Sequence, residues 1–240
     1  MRNELLSGSR AVALREVLRS LECDAATREL LEQFVPDVPG IKPYLAALAG
    51  HSDDLLRALA TAGAGFCIDQ VRELDPLRAR GVDPRAVLYR NPSKRAEDVR
   101  HAALRGVWRF AVDTESELHV IGGAAPGAAI YVYVAVQGAT RSSGAGASAH
   151  EALRLLRLAP ELGVRPHGLA FNVGSHERDA ATYARALERC GLVMRRLEQL
   201  GTRIEMLVLG GRVTPDPEGR AVATAVSRLP YRPALLVAEP

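Results

Sequence analysis

Short apolar runs alternate with amphipathic stretches along most of this chain. Eight of the runs read as strands, at 43–48, 65–69, 86–90, 109–113, 129–136, 167–173, 204–210 and 233–239. They are mostly apolar and show little of the alternation expected of a sheet with one wet face, which predicts burial on both faces. The stretches between them keep helical spacing, as in 53–62, 94–104, 149–158 and 180–200. Repeated strand–helix units of this number predict an α/β fold: a single closed (β/α)8 TIM barrel over residues 41–240. A doubly wound open sheet is the alternative, because strand count alone does not prove closure. Before the barrel, Leu14, Val17, Leu18 and Leu21 keep helical spacing, and Asp24 can cap a second helix running toward Leu31 and Phe34. Pro36 and Pro39 end this segment, so residues 1–40 are expected to form helices that pack on the barrel. No helix is expected after the eighth strand, and these two are expected to cover the gap in the outer ring, where exposed apolar wall costs about 25 cal/mol per Å².

A barrel of this kind takes ligands at the C-terminal ends of its strands. Those ends are Leu48, Asp69, Asn91, Asp113, Val136, residues 172–175, residues 210–212 and Glu239. Composition adds little except by exclusion. The net charge is only +3 and the arginines are spread over many helices, which argues against a nucleic-acid partner. Cys23, Cys67 and Cys190 lack metal-ligand spacing, and so odd and sparse a set fits a reducing, cytoplasmic setting. The N-terminus has no signal-peptide run, and no stretch approaches the roughly 18 apolar residues of a membrane span. Richness in Ala, Arg and Leu hints at a bacterial source. One count does change the picture: the only lysines are Lys42 and Lys94.

Six motifs fall in order at the strand ends. They are Gly-Ala-Gly-Phe-Cys-Ile-Asp (63–69), Tyr-Arg-Asn-Pro-Ser-Lys (89–94), Ala-Val-Asp-Thr-Glu-Ser-Glu-Leu (111–118), Ala-Phe-Asn-Val-Gly-Ser (170–175), Leu-Gly-Gly (209–211) and Val-Ala-Glu-Pro (237–240). Together they resemble the barrel domain of the ornithine, diaminopimelate and arginine decarboxylases, the alanine-racemase-type enzymes that use pyridoxal phosphate. The resemblance covers about residues 41–240 and implies the same barrel and a shared ancestry.

It also marks departures. The family's first strand ends in the lysine that forms the cofactor imine. Counting back from Gly63 without gaps puts Leu48 there, and leucine cannot form an imine. Lys42 lies roughly 20 Å away along the strand at ~3.3 Å per residue, toward the barrel bottom. Lys94 resembles a lysine that the family keeps for structural reasons. By the same resemblance, Cys67 stands where the family has an acid, Val134 near its fifth-strand arginine, Asn172 at its ring-stacking histidine, and Arg212 at the third glycine of its phosphate loop. The family's following β domain, which serves the partner subunit of a dimer, is expected to be missing.

A phosphate corner persists: Ser175, the amides of Gly210 and Gly211, and the Arg212 side chain suit a small anion. Alternatively, Arg212 fills an abandoned pocket and pairs with Glu239 or Asp179. The pocket is expected to be lined by Leu48, Asp69, Val134 and Asn172. No catalytic set is readable. Cys67, His176 and Glu239 are the candidates, although Cys67 reads more readily as an inert buried thiol, since a catalytic thiol needs a nearby base. His101, His119 and His150 are expected on helices, Gly122-Gly123 and Gly144-Ala-Gly146 at turns, and no metal site is expected. Two functions follow. One is a degenerate, barrel-only relative, a pseudoenzyme without covalent pyridoxal phosphate that acts as a small-molecule-binding or regulatory subunit, as a homodimer or paired with a full-length relative. The other is an enzyme whose repurposed pocket acts on a small anionic, amino-acid-derived metabolite, possible in bacterial secondary metabolism.

Overall fold

The computed structural model describes residues 41–46, 52–61, 64–91, 93–136, 146–174, 180–211 and 217–239. The predicted N-terminal helices, Leu48, Ser175, His176 and Arg212 lie outside them. The strands are β1 (Ile41–Ala46), β2 (Gly65–Ile68), β3 (Val87–Tyr89), β4 (Arg109–Val112), β5 (Ala129–Tyr133), β6 (Arg165–Asn172), β7 (Met206–Gly210) and β8 (Leu235–Glu239). Every strand pairs in parallel with the next, and β8 pairs with β1, so the sheet closes into a barrel. Closure rules out the open sheet.

Seven α-helices alternate with the strands among the described residues: α1 (Asp53–Thr61), α2 (Leu74–Ala79), α3 (Ala96–Leu104), α4 (Glu115–Ala124), α5 (Ala149–Leu158), α6 (Ala180–Gln199) and α7 (Pro217–Ser227). Local chemistry sets several starts. Thr114 accepts the Glu117 amide ahead of α4, and Ser148 with Glu151 forms a reciprocal capping box ahead of α5. Apolar stripes such as Leu55, Leu56 and Leu59 on α1 face the barrel wall. Gly122 and Gly123, expected at a turn, lie inside α4. A Cβ on Gly122 would sit 2.7 Å from the Leu162 carbonyl, so the glycine admits the segment that follows α5.

Two buried clusters divide the core. The larger lies between barrel wall and helices; the smaller fills the barrel itself with Tyr44, Cys67, Leu88, Ala111, Tyr131, Tyr133, Ala170, Met206, Val208 and Val237. This period-2 division is legible along each strand: on β5, Tyr131 and Tyr133 point inward while Ile130 and Val132 point to the helices. No described helix is long and apolar enough to cross a membrane.

Candidate functional site

The C-terminal ends of the strands bring several of the expected residues together. Asn172, Gly210 and Glu239 lie in one row, Asn172 paired with Gly210 and Gly210 with Glu239. Glu239 is 1% exposed, and both of its carboxylate oxygens are taken. Arg90, just past β3, donates to Oε1, and the Tyr133 hydroxyl donates to Oε2 at 3.0 Å. Arg90 also grips Asp69 in a bidentate fork, Nε to Oδ1 at 2.8 Å and Nη2 to Oδ2 at 2.5 Å. The Asn91 amide in turn donates to the Asp69 carbonyl at 2.9 Å.

Arg90 and Tyr133 were not among the expected pocket residues. Tyr133 was recoverable from alternation, since it shares the inward face with Tyr131. Arg90 carried a weaker signal, a cation one residue beyond an apolar run. The converse correction concerns Val134. It is 1% exposed but belongs to the helix-facing cluster, so its side chain does not line the mouth; the strand position that does is Tyr133. Arg212 and Asp179 lie outside the described residues, and Arg90 and Tyr133 are the donors that the described residues bring to Glu239.

Cys67 is buried inside the barrel, as expected. Burial, then the Glu239 carboxylate, pushes its thiol well above the usual range. It is a protonated thiol rather than a thiolate, which disfavours nucleophilic use. Burial and Glu239 likewise push the Tyr133 phenol up and keep it a donor. Asn172 accepts the Gly174 amide at 2.7 Å and so turns the chain at the end of β6. Gly211, at φ +107°, donates its amide to the Glu239 carbonyl at 2.8 Å, so this N–H is committed to the strand ends rather than to a ligand. Arg90 with Asp69 and Glu239 leaves one net negative charge in this cluster.

The two lysines are both away from this cluster. Lys42 sits near the start of β1, opposite Val237, at the other end of the barrel. Lys94 is buried beneath the mouth, donating to the carbonyls of Asn91 and Ala111 and, at 2.7 Å, to Glu117 Oε1. Burial lowers the Lys94 pKa and lifts that of Glu117 to about 7; each opposes the other's shift, and three acceptors around the ammonium favour the ion pair. Among the described residues, no three His, Cys, Asp or Glu side chains converge as a metal site.

Residues 25–224 match the model of the pyridoxal-binding domain of pyridoxal-dependent decarboxylases. The chain belongs to this decarboxylase family. Among its family relatives are the lysine/ornithine decarboxylase of Selenomonas ruminantium, 34% identical over 197 residues, and antizyme inhibitor 2 of Xenopus laevis, 30% identical over 183. These alignments take in 78% and 75% of the chain but 49% and 40% of the relatives, so the chain spans less than half of each curated relative. A crystal structure of the Selenomonas ruminantium lysine decarboxylase superposes with a TM-score of 0.79 at 25% identity, covering 94% of this chain and 65% of that one. The family's eight-stranded barrel is thus present here, with Arg90 tying Asp69 to Glu239 at the described strand ends.

Proposed function

We propose that this chain is a decarboxylase-family barrel that does not hold pyridoxal phosphate as an imine and instead serves as a small-molecule-binding or regulatory subunit. The placement of its lysines carries this reading. An imine needs a neutral amine that can reach the cofactor carbonyl. Lys42 lies at the wrong end of the barrel, and the Lys94 ammonium is surrounded by three acceptors. The sequence places Leu48 at the position that resembles the family's lysine. The mouth supports the same reading: both Glu239 oxygens and the Asp69 fork are occupied internally. Relatives of this barrel include a protein named for inhibiting antizyme beside several named as decarboxylases, so membership of the family does not by itself imply decarboxylation.

Incubation with pyridoxal phosphate is expected to give no imine absorbance and, after borohydride, no mass adduct on either lysine. A stoichiometric adduct on Lys42 or Lys94 would overturn the proposal. The regulatory arm is tested by sedimentation of an equimolar mixture with a full-length family decarboxylase, where a new hetero-complex is expected. If only the separate species sediment, the subunit role fails and ligand binding is left as the function.

The hydrogen bond from Tyr133 to Glu239, beside Cys67, favours a second reading. Buried groups able to move a proton line the mouth, as an enzyme acting on a small amino-acid-derived metabolite would need. Under that reading Tyr133→Phe abolishes turnover while ligand binding persists. Under the first it changes neither.

A further inference from the structure

The opposite end of the barrel carries a concentration of positive charge that the mouth does not explain. Across β4, β5 and β6, Arg109 pairs with Ala129 and Ala129 with Arg165. The next inward residues along β4 and β5 are Ala111 and Tyr131 of the interior cluster, so this row faces the barrel axis at its lower rim. Two arginines therefore flank one alanine, roughly 10 Å apart across two strand spacings, with no bulky side chain between them. Lys42, inward on β1 beside Val237, adds a third cation at the same end.

A β-bulge brings a fourth group to this rim. Ile130 pairs with Pro166, but Tyr131 pairs with Gly168, so His167 is the extra residue of β6. Its ring lies 5.0 Å from that of Trp108, while the guanidinium carbons of Arg109 and Arg165 lie 4.2 and 5.3 Å from the same ring. One indole thus gathers two guanidiniums and an imidazole.

Two buried nitrogens in this group lack hydrogen-bond partners: Arg109 Nε and His167 Nε2. His167 is only 7% exposed, so an unpaired polar atom there is costly. Other donors are engaged: Arg109 Nη1 reaches the Tyr44 hydroxyl at 3.2 Å and the Arg85 carbonyl at 3.3 Å, and Arg165 Nε reaches the Gly127 carbonyl at 3.2 Å. The acid nearest His167 is Glu205, 3.6 Å from Nδ1, with a side chain 71% exposed and so screened by solvent. The charged groups facing His167 are Arg109 from β4, Arg165 from β6 and Glu205 leading into β7.

We propose that this lower rim binds a small oxyanion of the phosphate class, held between Arg109 and Arg165 with His167 Nε2 as a further ligand. A phosphate offers several acceptor oxygens to two guanidinium forks and supplies the negative charge that the solvent-exposed Glu205 gives this group of cations only in part. The site lies at the end of the barrel away from Asp69 and Glu239, so it stands or falls independently of the reading of the mouth. Burial and the two flanking arginines hold His167 down at about 4, and a bound anion reverses the second of these effects.

Trp108 is the sole tryptophan and touches all three groups, so its fluorescence reports binding directly. The 240-residue chain is titrated with inorganic phosphate and, separately, with methyl phosphate, at ionic strength held constant with chloride. A saturable change with either ligand is expected, with the methyl phosphate arm showing whether an esterified group also enters. Arg165→Gln, at an exposed position, should weaken the response at least tenfold, while Arg154→Gln on α5 should leave it unchanged. In the NMR titration of His167, saturating phosphate should raise its pKa by at least one unit. The proposal is overturned by a response that neither ligand saturates, by equal affinity in Arg165→Gln and the parent chain, by equal loss in Arg154→Gln, or by a His167 pKa that phosphate leaves in place.

Discussion

Arg90 joins two carboxylates that would otherwise repel each other across the top of the barrel. Its partner Glu239 is almost fully buried, so the guanidinium is what makes that charge tolerable. Arg90→Met should therefore cost about 3 kcal/mol at pH 7, the lower end expected when one member of a buried pair is removed. Urea unfolding measures it, and Arg90→Met combined with Glu239→Gln should recover much of the loss. If the double variant is no more stable than the single, the buried charge is not the source of the cost. Arg90 was illegible in the sequence because an arginine after an apolar run more often marks the point where a strand meets water. Its inward turn depends on Asp69 and Glu239, which lie on β2's end and on β8, far away along the chain. Cys67 was the opposite case: its inward position followed from its strand, and its protonated state from the burial that the strand imposes.

β6 shows how one element can be predicted in place and misjudged in detail. Its apolar run was clear from residue 167 onward, but the strand begins at Arg165. Pro166 and the bulged His167 hide the start of the strand, since a bulge breaks the period-2 pattern that marks a strand in sequence. The bulge has a measurable consequence. His167 titrates at about 4 in the folded chain, against 6.5 for an ordinary histidine, because burial and then Arg109 and Arg165 disfavour its charge. Above pH 6.5 it is neutral folded or unfolded and contributes no pH dependence. As the pH falls from 6.5 toward 4, the unfolded chain takes up a proton that the folded chain refuses, and stability falls by about 3 kcal/mol. Unfolding at pH 7 and pH 4.5 should show this loss in the parent chain and its absence in His167→Gln. An equal loss in both assigns the pH dependence to other groups. α4 carries a comparable lesson: Gly122-Gly123 reads as a turn by composition, yet both lie inside the helix, where Gly122 lets the Leu162 carbonyl approach closely.

Closure turns these elements into one object whose interior is filled rather than hollow. The lower layer shows how tightly. Tyr44 projects from β1 across to β2, and a Cβ added at Gly65 would fall 2.3 Å from its ring. Gly65→Ala should therefore push the ring into Arg109 or out of the barrel, costing about 1–3 kcal/mol as overpacking does. Thermal unfolding with and without Tyr44→Phe locates the strain; a neutral Gly65→Ala would mean that the barrel interior yields more readily than its packing implies. The Lys94–Glu117 pair, buried between the β3 end and α4, ties the upper loops to the helix layer in the same closed frame.

The strand–helix order, the number of strands and the family all followed from local pattern and from motifs in series. Those are properties of neighbouring residues, written in periods of 2 and 3.6. Pairings between distant residues were not available in that form. Arg90 with Glu239, Tyr133 in place of Val134, and the gathering of Arg109, Arg165 and His167 on Trp108 depend on strand register and on a one-residue bulge. Register is set only when the barrel closes, and a shift of a single residue would turn each of these side chains to the other face.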